Sequence, residues 1–429
     1  MSVKFKLSMV MLGVLATVGV SAYPLSVYIG KTIYENELDK VIKTNNDVTL
    51  LSSTDGLTSK NDSIKFVYKD NNGKVNEFYF DVHSEFGLTG VDSKIVLNYE
   101  KGAFAKIVNE LKTEGLQEVP DIDLHVGYKV FGDKVFVDAS IGKAVISNYK
   151  YSCVSEGAKW TASNSREAVL SSYKKTAAML LDGIATGQYN ISIPFVECQA
   201  TDGSFSGTIK GVSLNGVLSG KTVSVIDWEI SNVKLTSEQD TDIALNDVHL
   251  KSELIKNDSN NTFGYGVQLA VKESKVLLSQ LPANNGPQVV DVTDFNFHNQ
   301  VINLTPAQIE DYIKMSLDLN PNISNYNFGT QVDLLLKDLS AKVNGNDLKV
   351  NGNVTVNLDD DSNALFMESK GDLDIKLSQK IVELFGGQQA VEGLILFVDN
   401  GHIDLKDGFY STKVSLKEGH IYLNDKRFL

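Results

Sequence analysis

Few residues in this chain have types and spacing that could do chemistry. Cys153 and Cys198 are its two thiols. In an exported segment such a pair oxidises, and a bond between them would close a loop of about 45 residues, worth roughly 4 kcal/mol in chain entropy. Neither lies in a Cys-x-x-Cys pair, so a structural bridge is expected, with Trp160 packed over it. Ser172 and Lys175 have the Ser-x-x-Lys form in which an amine activates a hydroxyl. Their usual partners, Ser-Asp-Asn and Lys-Thr-Gly, are absent, which leaves an exposed polar helix face. Asp359, Asp361 and Asn363 place oxygens as the start of a calcium loop does, but Ala364 and Lys370 stand where glycine and glutamate are needed. An acidic hairpin tip is the expectation there. His402 and His420 recur in a local repeat, Asn400-Gly401-His402-Ile403 and Glu418-Gly419-His420-Ile421. No carboxylate or cysteine constellation accompanies them, so they read as exposed strand histidines. There is no Gly-x-Ser-x-Gly elbow, His-Glu-x-x-His helix or phosphate-binding loop. The expectation is a protein with no catalytic residues, no metal site and no cofactor.

The elements that would position these residues begin with the N-terminus. Lys4 and Lys6 precede an uncharged run over residues 7–30. At about 1.5 Å per residue, about 24 residues reach across a hydrocarbon core of about 30 Å. Residues 1–30 are therefore predicted to be an uncleaved signal anchor and transmembrane helix, with everything after Lys31 exported. Val20-Ser21-Ala22 offers the competing outcome, cleavage after Ala22 and a soluble periplasmic protein. Beyond the anchor, 42% hydrophobic residues suffice for a core, and 40 basic against 54 acidic residues leave a net charge of −14. That balance disfavours a polyphosphate-binding surface, so no nucleic acid is expected as a partner.

From residue 60 onward apolar residues alternate with polar ones at period two. Val332, Leu334 and Leu336, then Leu339, Ala341 and Val343, then Leu348 and Val350, then Val354, Val356 and Leu358 read as strands with one buried face. Asn344-Gly345 and Asn351-Gly352 read as tight hairpin turns. Asn164 with Glu167 opens a helix ending at Gly183, and Thr305, Pro306 and Gln308 open a second that carries Ile309, Tyr312, Ile313 and Leu317 on one face. Shorter helices are predicted over 104–111 and 378–385, the latter closed by Gly386-Gly387. The fold expectation is mainly β (β-rich α+β): elongated antiparallel sheets with a few covering helices, in two lobes over 31–210 and 211–429.

Tyr28-x-Gly30-Lys31, Leu373-Asp374-Ile375-Lys376-Leu377 before a short helix, and Ser411 to Leu416 followed by Gly419-His420-Ile421-Tyr422-Leu423-Asn424 resemble the YdgA-like family, as does the stretch from Ile243 through His249 to Val271. The resemblance implies a bacterial cell-envelope protein, anchored in the inner membrane, mostly periplasmic, with no assigned enzymatic activity. Two functional readings follow. In one, a sheet groove walled by Ile309, Tyr312, Ile313 and Leu317 holds a lipid or other apolar ligand. In the other, the exported part is a scaffold or adaptor that binds envelope proteins or its own copies through strand edges. They differ in whether the apolar strand face is sealed or left open.

Overall fold

Period-two alternation is realised as antiparallel strands. The computed structural model describes residues 35, 47–56, 58–69, 73–87, 90–129, 134–165, 186–219, 222–237, 241–257, 262–278, 288–309, 311, 331–357 and 369–428. The predicted anchor, the helix carrying Ser172 and Lys175, the Asp359 to Asn363 run, and Tyr312, Ile313 and Leu317 lie outside these residues. Contacts divide the chain into two units, the first Met1–Met179 with Ala185–Thr201 and Asn215–Val217, the second Leu180–Ile184 with Asp202–Leu214 and Leu218–Leu429.

The first unit contains β1 (Val48–Asp55), β2 (Ser59–Lys69), β3 (Val75–Gly87), β4 (Gly90–Leu97), α1 (Gly102–Thr113), β5 (Ile122–Lys129), β6 (Lys134–Ile141), β7 (Ala144–Ser147), β8 (Tyr151–Ser155), β9 (Ala158–Ser165) and β10 (Gly187–Ala200). Strands β1 to β6 pair in sequence, β9 follows β6, and β10 pairs with both β9 and β8. Along β3, Phe78, Phe80, Val82 and Phe86 are buried while their neighbours face outward, and along β4 Val91, Ile95 and Leu97 do the same. Helix α1 lies over that face. Its Phe104 meets Phe78 and Phe80 edge-on, with ring centroids 5.0 and 5.4 Å away. Ser84 and Ser93, buried among these side chains, share a hydroxyl hydrogen bond of 2.7 Å and so leave neither group unsatisfied.

The second unit contains β11 (Phe205–Ser219), part of which groups with the first, then β12 (Thr222–Ser237), β13 (Thr241–Asn257), β14 (Thr262–Leu278), β15 (Gln288–Leu304), β16 (Gln331–Val343), β17 (Asn346–Asn357), β18 (Lys370–Ser378), α2 (Gln379–Asp399), β19 (Asp404–Lys406), β20 (Phe409–Lys417), β21 (His420–Leu423) and β22 (Lys426–Arg427). From β12 to β18 every strand pairs antiparallel with the next, and β20 joins β18, β19 and β21. Asn344-Gly345 turns β16 into β17 with φ of 47° and 75°, and Asp407-Gly408, Glu418-Gly419 and Asn424-Asp425 repeat that pair of positive φ values. These are the primed turns that match strand twist.

Three expectations change. Asn351-Gly352 is no turn: it lies inside β17, where Gly352 has φ 153° and a Cβ would stand 2.1 Å from the Asp372 carbonyl oxygen. Glycine there permits close strand approach. Gly386-Gly387 does not end the helix: Gly387 takes φ 65° inside α2, and helical residues resume after it to Asp399. Among the described residues α2 alone has the length and apolarity of a membrane span. The break at Gly387 leaves its longer part at about 12 residues, about 18 Å, against the roughly 30 Å of a bilayer core. Finally, the two copies of the local repeat fold differently. Asn400 caps α2 and Gly401 exits it at φ 67°, whereas Glu418-Gly419 is a hairpin turn. His402 accordingly sits beside Phe397 and Phe428, with centroids 6.2 and 6.3 Å away, and is not an exposed strand residue.

Candidate functional site

The long strands of the second unit have two chemically distinct faces, and register shows how each is assembled. Trp228 of β12 stands opposite Leu250 of β13, which faces Leu269 of β14, and the row continues through Phe297, Leu339, Val350 and Ile375 to Thr412 of β20. Apolar side chains thus cross seven adjacent strands. At about 4.8 Å per strand spacing the row is about 29 Å long. Flanking rows add Ile226 and Val267 on one side and Ile230, Val248, Val271 and Phe295 on the other.

None of the seven row residues is buried. Trp228 and Leu250 are 38% and 36% exposed, and the other five are half-buried. The buried clusters of this unit lie on either side of the row, toward opposite ends of the strands. At one, Ile309 from the helical turn after β15 packs on Leu254 and Phe263, with Tyr265 and Leu304 alongside. At the other, Ile381 of α2 packs on Val290 and Val343. Thr305 caps the Ile309 turn: the Gln308 backbone N–H donates to Thr305 Oγ1 at 3.3 Å, and the Thr305 backbone N–H donates to Gln308 Oε1 at 2.8 Å. Ile309 is therefore sealed against β13 and β14, whereas its three expected companions fall outside the described residues.

The opposite face is a polar ladder. Gln268 donates to Asn296 Oδ1 at 3.3 Å, Asn296 donates to Asp338 Oδ2 at 2.6 Å, and Ser340 donates to the same carboxylate at 3.0 Å. Asp333 accepts from the Asn303 amide at 2.8 Å and the Thr355 hydroxyl at 2.7 Å, and these bonds hold its carboxyl below the usual carboxylate range. A cleft of about 320 Å³ lies farther along, where Lys342, Lys349, Lys376 and Phe409 meet. Lys376 sits 4.6 Å over the Phe409 ring, and Lys342 pairs with Asp294 at 3.0 Å.

In the first unit Cys153 and Cys198 are directly opposite on β8 and β10, with Cα atoms 4.1 Å apart, and lie within disulfide distance. Trp160 is not over that pair. It stands opposite Ile191 and packs on the first-unit core, seven residues and about 23 Å along β10 from Cys198. A cleft of about 360 Å³ in this unit is lined by Phe136, Tyr189, Asn190 and Asn215 among others, and burial raises the Tyr189 hydroxyl above its ordinary value.

Alternation in the sequence marks Leu339 and Val350 as strand residues but not their alignment with Trp228, Leu250, Leu269, Phe297 and Ile375. The available signal is register propagated hairpin by hairpin, which alternation within one strand does not supply. Comparison with protein-family models, curated proteins and solved structures finds no match to the chain.

Proposed function

We propose that the chain is an exported, non-enzymatic binding protein, tethered to the bacterial inner membrane by residues 1–30, that holds an acyl chain or similar apolar ligand along the row from Trp228 to Ile375. One observation carries the reading: an apolar row about 29 Å long keeps its side chains partly exposed although the same face is sealed on either side of it, toward both ends of the strands. Contiguous exposed apolar surface is uncommon on soluble proteins and marks interaction sites. The row is comparable in length to two acyl chains end to end, the roughly 30 Å thickness of a bilayer core. The lysine flank followed by the uncharged run over 7–30 supports tethering, which would place the row beside a source of lipid.

Native mass spectrometry of the detergent-extracted protein tests this. The intact chain should carry lipid, and Leu269→Asp, which puts a charge within the row, should release it while circular dichroism stays unchanged. A lipid-free intact chain whose assembly is broken by Leu269→Asp would favour the scaffold reading. Unfolding by that substitution would show the row to be core and end the proposal. A mature N-terminus at Tyr23 in the soluble fraction would refute the tether.

A further inference from the structure

Glu229 of β12 and His249 of β13 stand directly opposite, and Asp227 lies two residues before Glu229, so all three project from the polar face. One imidazole nitrogen and one oxygen from each carboxylate lie within 4.8 Å of one another. His249 Nε2 contacts Asp227 Oδ1, and the Ser213 hydroxyl donates to Glu229 Oε2 at 3.5 Å. The His249 and Asp227 side chains are 37% and 33% exposed, open to an ion from solvent.

Among the described residues no lysine or arginine pairs with Asp227 or Glu229, and Lys251, directly opposite Asp227, bonds to Glu253 at 3.0 Å instead. The first unit supplies a contrast. His125 also has two carboxylates, Asp92 on Nδ1 at 3.1 Å and Asp123 on Nε2 at 3.4 Å, but they flank opposite edges of the ring, and Lys94 pairs with Asp123 at 2.9 Å. A single ion cannot join those groups. At His249 the three donor atoms lie within 4.8 Å of one another, with no lysine or arginine among the described residues paired to the carboxylates.

We propose that Asp227, Glu229 and His249 bind one divalent transition-metal ion of the zinc type. One imidazole and two carboxylates suit zinc, cobalt or nickel better than calcium or magnesium, which prefer all-oxygen sites. Three protein donors leave at least one position for water, and the Ser213 contact orients Glu229 from outside the coordination shell.

The test uses the full chain, extracted in detergent and stripped with chelator, carrying Trp160→Phe so that Trp228, between the two carboxylates in sequence, is the remaining tryptophan. Titration with cobalt(II) chloride should saturate at one ion per chain, quench Trp228 and develop visible absorption. Zinc should reverse both signals, and an equal concentration of calcium should not. His249→Ala and the milder Asp227→Asn should each weaken cobalt binding at least tenfold, and His125→Ala should leave it unchanged. No saturable binding by the unmutated site, or equal affinity in the His249 and Asp227 variants, would overturn the proposal.

Discussion

The two units use the same alternation to opposite ends. In the first, β3 and β4 turn Phe80, Val82, Val91 and Ile95 inward, Phe104 of α1 packs on Phe78 and Phe80, and fourteen buried residues form one cluster. In the second the strands are longer, yet its two buried clusters hold three residues each and the row between them stays open. The difference is cover. A strand face becomes core only where a helix or second layer excludes water from it, and the energy of an apolar row depends on that exclusion. The first unit seals most of its apolar face, whereas the second leaves an apolar row partly exposed.

Substitutions at covered and uncovered positions should differ accordingly in cost. Phe80→Ala, beneath α1, should cost about 3 to 5 kcal/mol, read as a lowered denaturant midpoint. Ile309→Ala, in the sealed end of the second unit, should cost about 2 to 4 kcal/mol. Replacing Cys153 and Cys198 together by serine should cost about 2 to 4 kcal/mol if they are bridged, and labelling of the unmutated protein without reductant should find no free thiol. Leu250→Ala, on the open row, should cost less, about 1 kcal/mol, because Leu250 keeps 36% of its area in water and its truncation leaves no enclosed cavity. A loss comparable to that of Ile309→Ala would erase the distinction between sealed and open parts of the face.

The smallest effect is a pH dependence in the polar ladder. The Asn303 amide and then the Thr355 hydroxyl hold Asp333 below its ordinary value. A depressed carboxylate contributes stability that is fully present above its unfolded pKa of about 3.9 and lost as pH falls through its folded value. The stability difference between the intact chain and Asp333→Asn should therefore be constant near neutrality and shrink below about pH 4. A difference unchanged across that range would show that the charge plays no part.

Much of the architecture is legible in the residues. Alternation locates the strands, Asn344-Gly345 marks a true hairpin, and the apolar positions about Phe104 mark α1. Other features depend on partners a local pattern cannot name. Asn351-Gly352 has the composition of a turn, but the approach of β18 at Leu373 makes it a strand interior. The apolar spacing in β13 and β15 slips by one residue at Asp247 and Asp294, which take φ of 49° and 53°, with Lys272 and Lys342 paired to their carboxylates. Aspartate tolerates that conformation, so the slip has no glycine to announce it. The meeting of His249 with Glu229 needs the register of a long hairpin, and the openness of the row needs every covering element at once.

The acyl-chain site proposed along the row from Trp228 to Ile375 is a surface open to a ligand in solution. Its most direct test is quenching of Trp228 by a brominated fatty acid in the Trp160→Phe background. The expected result is saturable quenching, competed by unbrominated fatty acid and lost in Leu269→Asp with the fold intact. A Trp228 emission unaffected by the brominated ligand up to its solubility limit would contradict the claim.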